Sequence, residues 1–554
     1  MIERYLKKIR VVLSLIFFLL TLFLFVDFAA VFSLRMIHAI LYLELVPSLL
    51  EFLRLATLGA AGFIAVMLFT LFFGRVYCST VCPLGTLQDI FIRITSPFRN
   101  KKKNKYKKPL SILRFSILGI LVLLIFFRNI FLLNLLDPFS LAGKLFSNLV
   151  RPGYYAGNNI LRNILKAMDN YTLYPVTVKS AAWPAIGFSV AFLAILIFLS
   201  SRKGRWYCNA ICPVGTFLGL ISKISLFKLT IDESSCVSCG LCIRECKSNC
   251  IDMKNHAIDF SRCVACFNCI GACKEESIGY HNQLKLQKSL INIRLFKSPA
   301  PDRYCSDRSR PVTTIPGAMP RRNFFRTTLG TAGIAGLLLS SKEVFAKKKS
   351  AKGMSDYPVT PPGSVSLTHF TEKCTACHLC VSACPTHVLQ PTLFEYGLTG
   401  LFQPKMDFWT AYCNHECVKC SQVCPSGAIQ PITVKEKETL QIGYAWFSRH
   451  RCIVSTKNTA CAACSEHCPT KAVVMVPYTG TLMIPTVDEK ICIGCGACEY
   501  ACPTKPKAIF VESNTYHRIA RKPLKKVAEP EEETLAEGKK EEVKKKKVVE
   551  DFPF

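Results

Sequence analysis

The chain of 554 residues exceeds the size of one compact domain and predicts three or four domains. Half of its residues are hydrophobic and its mean hydropathy is +0.27, which indicates a membrane protein with soluble parts. Much of the formal charge of +32 lies in runs beside apolar segments, without an aromatic-interleaved basic face, so nucleic acid is not an expected partner. The 30 cysteines are too many for a protein of this size without a metal or disulfide framework.

Four apolar runs are long enough to cross a bilayer, which needs about 20 apolar residues. They are Val11–Phe32, Leu55–Gly74, Leu110–Phe127 and Ala181–Ser200. The connection 75–109 carries nine Lys and Arg residues, whereas the short connection 33–54 carries two. Because positive charge stays on the cytoplasmic side, we expect a four-helix membrane unit whose two ends face the cytoplasm.

A thirteen-residue stretch occurs twice, as GRVYCSTVCPLGT at 74–86 and as GRWYCNAICPVGT at 204–216. Each copy follows an apolar run, so a helix pair with a C-x3-C-P element is used twice in parallel orientation. The spacing of four predicts that both cysteines of a copy share one helical face and that four thiols converge. The candidate redox or metal thiols are Cys78, Cys82, Cys208 and Cys212. Inert buried cysteine is the alternative.

Two cysteine runs with the spacing of a two-cluster bacterial ferredoxin follow, in which the fourth cysteine of each run ligates the other cluster. The expected ligands are Cys236, Cys239, Cys242, Cys246, Cys263, Cys266, Cys269 and Cys273. Zinc is the alternative, but tetrahedral zinc sites take two separated C-x2-C knuckles. Lys247 and Lys274 replace the proline that usually follows the fourth cysteine. A fifth cysteine in the first run, Cys250, is expected to pack as a small apolar residue.

The segment Arg321–Ala346 has the layout of a twin-arginine export signal, although it lies far from the N-terminus. Arg321 and Arg322 precede an aromatic pair, a short uncharged apolar run and a small-residue ending. The alternative is a basic linker followed by a short buried helix. If the segment is a signal, the residues before it are membrane or cytoplasmic and those after it are periplasmic.

Four more cysteine runs follow this segment, and three cysteines and a Cys-Pro make up each run. The expected cluster ligands are Cys374, Cys377, Cys380, Cys384, Cys413, Cys417, Cys420, Cys424, Cys452, Cys461, Cys464, Cys468, Cys492, Cys495, Cys498 and Cys502. The two inner runs have a stretched first gap, which suggests nested sharing of clusters, first run with fourth and second with third. Disulfides are the alternative in an exported domain, but this spacing favours clusters.

The fold class expected is an α-helical membrane bundle with small α+β ferredoxin-like iron–sulfur domains and a disordered C-terminal tail. The predicted domains are a membrane domain at 1–225, a two-cluster ferredoxin at 226–280, a linker at 281–320 with the unassigned Cys305, the signal-like segment at 321–346, a four-cluster ferredoxin at 365–515 and a charged tail at 520–554.

The two halves of the chain each resemble a known family. On its four apolar runs, paired C-x3-C-P elements and two-cluster ferredoxin, residues 1–280 resemble the NapH-type membrane quinol dehydrogenases of periplasmic nitrate reductase systems. On its twin-arginine-like segment and four cysteine runs, residues 321–512 resemble the NapG/MauM-type periplasmic ferredoxins. The resemblance implies a fusion of the two, in which electrons pass from membrane quinol to a periplasmic acceptor.

The leading hypothesis is an electron-transfer protein of the bacterial inner membrane, with the quinone pool and a periplasmic reductase or cytochrome as partners. We expect about six [4Fe–4S] clusters, from the six complete cysteine runs. No haem is expected, since His38 is the only histidine in residues 1–255 and a six-coordinate haem usually takes two axial ligands. The alternatives are a copper-handling assembly or reductase factor that uses the C-x3-C-P thiols, and a redox sensor. Whether the chain is itself an enzyme, as a quinol dehydrogenase component, stays open at this point.

Overall fold

The computed structural model describes residues 2–26, 31–55, 61–97, 106–176, 183–283 and 357–522. The signal-like segment Arg321–Ala346 and the lone Cys305 lie outside these residues, as does nearly all of the tail 520–554. The export signal and the disordered tail therefore stay predictions.

The N-terminal half is helical, as expected for its uninterrupted apolar runs. Its helices are α1 (Ile2–Val26), α2 (Leu34–Leu43), α3 (Leu45–Leu55), α4 (Gly62–Phe73), α5 (Tyr77–Thr80), α6 (Pro83–Thr95), α7 (Ser111–Phe126), α8 (Phe131–Leu136), α9 (Pro138–Leu145), a π-helix (Phe146–Val150), α10 (Arg151–Ala167), α11 (Trp183–Lys203), α12 (Trp206–Ala210) and α13 (Pro213–Ser222).

Two of these helices, over Tyr5–Val26 and Trp183–Lys203, are long and apolar enough to cross a membrane. They correspond to the first and fourth apolar runs of the sequence. The other two runs contain the shorter apolar helices α4 and α7, and residues 56–60 before α4 are not described. The helical region thus contains two candidate membrane-spanning helices, and the complete four-helix membrane unit remains a prediction.

The segment 33–54 is not a plain connection. It forms α2 and α3, which are apolar enough to make a span together but meet at an angle of 102°. Leu41, Leu45 and Val46 around the bend are buried in the bundle core. Burial of this apolar face turns the segment inward, an outcome that counting only charge and length did not predict.

The first ferredoxin is built from short elements around its cysteines. They are β1 (Phe227–Ile231), α14 (Leu241–Glu245), β2 (Ile251–Asp252), β3 (Ala257–Ile258), α15 (Asn268–Ala272) and β4 (Ile278–Asn282). Strand β1 pairs antiparallel with β4, and β2 pairs antiparallel with β3. Each short helix ends at the fourth cysteine of a run, Cys246 or Cys273.

The second ferredoxin repeats this plan over 357–522. Its elements are α16 (Leu367–Lys373), α17 (Leu379–Ala383), β5 (Leu389–Pro391), a 3-10 turn (Leu398–Gly400), β6 (Pro404–Met406), α18 (Lys419–Gln422), α19 (Val434–Thr439), β7 (Leu440–Phe447), a 3-10 turn (Arg449–Arg451), α20 (Ile453–Lys457), α21 (Ala463–Glu466), β8 (Val473–Thr479), β9 (Leu482–Val487), α22 (Ala497–Ala501) and β10 (Ile509–Ile519). The strands form antiparallel pairs, β5 with β6, β7 with β10 and β8 with β9.

The two ferredoxins contact opposite ends of α1. Near its start, Lys7 approaches Gly271 of the first ferredoxin. Near its end, Phe25 lies beside Gly143 and the Cys377 carbonyl of the second ferredoxin. The helical region therefore separates the two ferredoxins.

Helix α11 runs the other way and contacts them in the reverse order. Near its start, the ring of Phe188 lies 4.6 Å from that of Phe402 in the second ferredoxin. At its end, the Lys203 carbonyl accepts a hydrogen bond of 3.3 Å from Asn249 Nδ2 of the first ferredoxin. Two antiparallel helices thus place the same ferredoxins at the same two ends.

Candidate metal centres

One void in the first ferredoxin is lined by thiols from both of its cysteine runs. The space between its lining atoms, including the part open to solvent, is about 320 Å³. Its thiols are those of Cys246, Cys250, Cys263, Cys266 and Cys269. Because Cys246 is the fourth cysteine of the first run, it joins the group formed by the second run, which is the exchange typical of a two-cluster ferredoxin.

The remaining thiols of the first ferredoxin form a second, more exposed group. Cys236, Cys239 and Cys242 lie close enough to interact electrostatically. Cys273 Sγ lies 3.3 Å from Ser277 Oγ, whose hydroxyl lies 3.3 Å from the carbonyl of Ser235, the residue before Cys236. Ser277 therefore holds the fourth cysteine of the second run beside the first run.

Cys250, the fifth cysteine of the first run, is buried in the core of the first ferredoxin and also lies beside the cysteine group. It is 1% exposed, lines the void, and its Sγ lies 3.7 Å from Cys246 Sγ. The turn after Cys246 folds back, with a 3.4 Å hydrogen bond from the Asn249 amide to the Cys246 carbonyl, and brings Cys250 beneath the cysteine group. Burial of Cys250 in the core of the first ferredoxin agrees with its predicted packing as a small apolar residue, and its place at the void is an additional finding.

The second ferredoxin has four groups of cysteines. Three of them line voids, and the fourth is recognised by the proximity of its thiols. Cys374, Cys377, Cys380 and Cys424 line about 300 Å³; Cys384, Cys413, Cys417 and Cys420 line about 330 Å³; Cys452, Cys461, Cys464 and Cys502 line about 340 Å³. In the last group, Cys492, Cys495 and Cys498 lie near Cys468.

The nested sharing predicted from the spacing is wrong. Each fourth cysteine joins the group of the neighbouring run, so the first run exchanges with the second and the third with the fourth. The longer spacing between the first two cysteines occurs in the second and third runs, which belong to different exchanging pairs. It therefore does not indicate which runs share clusters. The third cysteine of each run lies within a short helix, and the fourth lies just past the end of that helix. The helix therefore carries the fourth cysteine away from its own run and toward the group of the adjacent run.

A hydroxyl accompanies every fourth cysteine of the second ferredoxin. The four runs end in Cys-Pro-Thr or Cys-Pro-Ser, and the hydroxyl lies 3.2 to 3.7 Å from the cysteine sulfur. Backbone amides also donate to these sulfurs, as from Ile429 to Cys424 and from Ala508 to Cys502, both at 3.4 Å. Hydrogen bonds to the sulfurs are one of the means by which a protein sets a cluster's potential. The Cys-Pro-Thr/Ser pattern was visible in the sequence but was not used.

The cysteine groups fit clusters better than single metal ions. Four or five thiols line each void, and a cubane cluster takes four thiolates. Within the residues that the structure describes, no three Cys, His, Asp or Glu side chains are placed to hold one metal ion. Zinc, which draws its four ligands close to one point, does not match this arrangement.

The C-x3-C-P elements are not continuous helices. Cys78 lies in α5, whereas Cys82 is extended with φ −60° and ψ 116° and precedes Pro83, the first residue of α6. The second copy breaks in the same way at Cys212. Proline excludes the helical conformation at the residue before it, so the expectation of one helical face per copy is wrong.

Two buried arginines tie the copies together. Arg75 of the first copy donates to the Cys208 carbonyl at 3.3 Å, and Arg205 of the second donates to the Cys78 carbonyl at 2.6 Å. Both side chains are 0% exposed. The exchange brings the four thiols into one region, where Cys82 interacts electrostatically with Cys78, Cys208 and Cys212. The arginine at the same position in both repeats was a signal that sequence reasoning missed.

Asp89 connects this region to the first ferredoxin. Its carboxylate pairs with Arg205 at 2.8 Å, Arg10 at 2.9 Å and Lys247 at 3.1 Å. Burial alone would raise the pKa of Asp89, but the Arg205 and Lys247 charges hold it well below its usual range. Lys247, which stands where a ferredoxin usually has proline, is therefore a docking residue.

A different set of contacts holds the second ferredoxin. Asn134 Nδ2 donates to the Leu401 carbonyl at 2.6 Å, and Arg151 Nη1 donates to the Val381 carbonyl at 3.2 Å. Gly143 of α9 lies so near the Cys377 carbonyl that a Cβ there would overlap it. A cysteine of the nearest group thus sits directly against the helical region.

A buried carboxylate lies at the bend between α2 and α3. Glu44 is 1% exposed, and Tyr77 donates its hydroxyl to Glu44 Oε2 at 2.6 Å. The other oxygen, Oε1, has no hydrogen-bond partner among the described residues. Tyr77 is the neighbour of Cys78, so the acid is linked to the C-x3-C-P region. An ionisable residue buried among apolar helices is a candidate functional group.

These groups and the surrounding fold define an iron–sulfur protein with several ferredoxin-type domains. A 4Fe-4S binding domain family matches residues 55–105 and 185–232, and another of that description matches 229–252. Two 4Fe-4S dicluster domain families match residues 373–435 and 457–505. The first family covers both C-x3-C-P copies and stops before Cys236.

The relatives are ferredoxin-type proteins. The chain is 29% identical over 184 residues to the methylamine utilization ferredoxin-type protein MauM of Methylophilus methylotrophus, which covers 32% of this chain and 79% of MauM. It is 29% identical over 187 residues to the ferredoxin-type protein NapG of Escherichia coli K12, with 32% and 78% covered. For NapF of the same organism the identity is 27% over 141 residues, with 25% and 76% covered. No solved structure matches the chain significantly. The similarity supports an iron–sulfur electron carrier.

Proposed function

We propose that this chain is a polyferredoxin of the bacterial inner membrane that carries electrons from membrane quinol through [4Fe–4S] clusters to a periplasmic reductase or cytochrome. The observation that carries the proposal is the placement of the two ferredoxins at opposite ends of α1 and α11. A soluble carrier has no use for such an arrangement, whereas a conduit across a membrane requires it.

The proposed ligands are the cysteines of the six runs, grouped as the voids and neighbouring thiols group them. The six sets are Cys236, Cys239, Cys242 with Cys273; Cys263, Cys266, Cys269 with Cys246; Cys374, Cys377, Cys380 with Cys424; Cys413, Cys417, Cys420 with Cys384; Cys452, Cys461, Cys464 with Cys502; and Cys492, Cys495, Cys498 with Cys468. A cluster held by each set would supply one-electron redox chemistry. The protein supplies amide and hydroxyl donors to the sulfurs and, around the buried groups, keeps water away.

Dimensions support a transmembrane path. The part of α1 between its two ferredoxin contacts, from Lys7 to Phe25, spans about 27 Å at a rise of about 1.5 Å per residue. A bilayer's hydrocarbon core is about 30 Å thick. The first ferredoxin is then cytoplasmic and the second periplasmic, with the Arg321–Ala346 segment carrying the chain across.

Glu44 is the proposed proton acceptor for quinol oxidation, which releases protons together with electrons. Its unpartnered Oε1 can accept a proton, while the Tyr77 hydroxyl holds Oε2. Glu44→Gln should abolish reduction by a quinol and leave reduction by dithionite unchanged. Glu51→Gln, on α3 beside the bend, is the matched control and should retain both reactions. Equal quinol-driven rates in the two variants would remove Glu44 from this role.

Topology tests the proposal as a whole. Protease added to spheroplasts should degrade an epitope at the C-terminus and spare an epitope inserted near residue 290. Arg321→Lys together with Arg322→Lys should restore protection of the C-terminus, because a twin-arginine signal requires its arginine pair. Protection of the C-terminus in the unmodified protein would contradict the proposal, since both ferredoxins would then lie on one side.

A further inference from the structure

We propose that Cys78, Cys82, Cys208 and Cys212 together hold an additional iron–sulfur cluster, which relays single electrons between the first and the second ferredoxin. The proposal deepens the conduit function and rests on it for the relay, but the site itself stands on its own geometry. It adds a cluster to those of the six cysteine runs.

The first argument is the arrangement of the thiols. Two equivalent elements each contribute two cysteines, all four are at most 4% exposed, and they lie within electrostatic reach of one another. Two of the sulfurs already accept N–H donors, from Gln88 Nε2 to Cys208 at 3.4 Å and from the Gly215 amide to Cys212 at 3.3 Å. The sulfurs of the ferredoxin groups accept similar donors, as Cys424 and Cys502 do.

The second argument is charge. Arg75 is fully buried, and its Nη2 lies 3.8 Å from Cys78 Sγ. Within the described residues its hydrogen bonds otherwise go to neutral oxygens, those of Asn209, Ser261 and Cys208. The Nε of Arg75 and one Nη of Arg205 have no hydrogen-bond partner there. A buried cation requires an anion, and an iron–sulfur core held by four thiolates carries net negative charge.

The third argument is position. On one side, Arg205 lies within electrostatic reach of Cys266 in the first ferredoxin. On the other, Tyr207, the neighbour of Cys208, donates to the Leu136 carbonyl at 3.0 Å, and α9 begins two residues later. Helix α9 contains Gly143, which touches the Cys377 carbonyl of the second ferredoxin. The C-x3-C-P elements thus reach the first ferredoxin through Arg205 and the second through Leu136 and α9.

The chemistry of the ligands selects among carriers. Soft thiolates favour copper(I), zinc or an iron–sulfur cluster. Zinc has no redox chemistry, and a thiol–disulfide pair exchanges two electrons, so neither matches one-electron partners. Copper(I) also exchanges one electron, and metal analysis distinguishes it from a cluster. An iron–sulfur cluster takes up one electron and needs no proton.

Iron and acid-labile sulfide analysis of the anaerobically purified full chain tests the site. The six runs account for about 24 irons, so we expect about 28 if the additional cluster is [4Fe–4S] and about 26 if it is [2Fe–2S]. Cys82→Ser with Cys212→Ser should lower the count to about 24, remove one signal from the electron paramagnetic resonance spectrum of the reduced protein, and retain the rest. Ser79→Ala, beside Cys78, is the matched control and should keep the full count.

The outcomes separate this site from the conduit. A count of about 24 in the unmodified chain, or copper or zinc in place of the extra iron, would overturn the proposal. So would an equal iron count in the double-serine variant and the control. If the C-terminus is protected in spheroplasts but the extra iron is present and is lost with the cysteines, the site stands and the transmembrane conduit fails. Survival of the other cluster signals in the double variant distinguishes a lost ligand from an unfolded protein.

Discussion

The two ends of the helical region hold their ferredoxins by different means. At the first ferredoxin the contacts are charged, as in the pairing of Asp89 with Arg205 and Lys247. At the second, close packing predominates, as in the Phe188–Phe402 ring contact and the approach of Gly143 to the Cys377 carbonyl, and the buried Arg151 meets a neutral carbonyl.

The two contact surfaces tolerate different kinds of substitution. Buried charge fixes a single arrangement, because every ion needs its partner, and removal of one member leaves another uncompensated. Close packing tolerates changes of polarity at its edge but not added volume at its centre. A charge deletion should therefore damage the first surface most, and a methyl insertion should damage the second.

Asp89→Asn should have the largest effect on this comparison. It leaves Arg205, Arg10 and Lys247 without their shared carboxylate, and loss of one partner of a buried ion pair costs about 3–5 kcal/mol. We expect the first ferredoxin to detach, measured as faster limited proteolysis near residue 283, while the second stays docked. Asp232→Asn, a surface change within the same ferredoxin, is the control. Equal proteolysis of both variants would show that the charged surface does not hold this module.

The same carboxylate predicts a pH dependence. The folded-state pKa of Asp89 is lowered, so its contribution to stability is present above the unfolded-state value of 3.8 and is lost as the pH falls through the folded value. Docking of the first ferredoxin should therefore be constant from neutral pH down to about pH 4, as measured by the same proteolysis rate. A decline between pH 7 and pH 5 would mean that another group controls the surface.

Gly143→Ala should have the next largest effect, and at the other end. The added methyl meets the Cys377 carbonyl and the Phe25 ring, and overpacking of this kind costs about 1–3 kcal/mol. The second ferredoxin should become easier to release by protease, with the first unaffected. Gly153→Ala on α10 has nothing within 4 Å of the new methyl and is the matched control. Release of the first ferredoxin instead would invert the comparison.

Arg128→Ala should have the smallest effect. Arg128 pairs with Glu372 of the second ferredoxin at 3.9 Å, but its side chain is 82% exposed. Exposed pairs contribute about 0–1 kcal/mol, so docking should change little, as judged by the proteolysis rate used for Gly143→Ala. An effect as large as that of Asp89→Asn would mean that charge holds both ends alike.

The sequence predicted the chemistry better than the geometry. Compact runs such as Cys236–Cys246 specify iron–sulfur binding because the spacing alone lets three thiols wrap a cluster. Which run supplies the fourth cysteine depends on how adjacent turns pack, so the nested arrangement was wrong although its ligands were reasonable. The bend at Glu44 and the break before Pro83 likewise depend on tertiary burial and on proline geometry.

The C-x3-C-P region marks the limit of pattern reasoning most clearly. The repeat predicted four converging thiols, but not the exchange of Arg75 and Arg205 between copies. Nor did it predict the role of Asp89, which stands where the second copy has Gly219. Internal repeats reveal what two copies share, whereas the docking of the first ferredoxin depends on where they differ.

Electron transfer across a sealed membrane distinguishes a transmembrane conduit from a carrier that works on one side. The full chain is reconstituted into vesicles that contain oxidised cytochrome c, and dithionite, which does not cross the bilayer, is added outside. The conduit predicts that the trapped cytochrome c becomes reduced in vesicles with the protein, and that it stays oxidised with Cys82→Ser plus Cys212→Ser or without protein. Bleaching of the externally accessible clusters while the trapped cytochrome c stays oxidised would contradict the account.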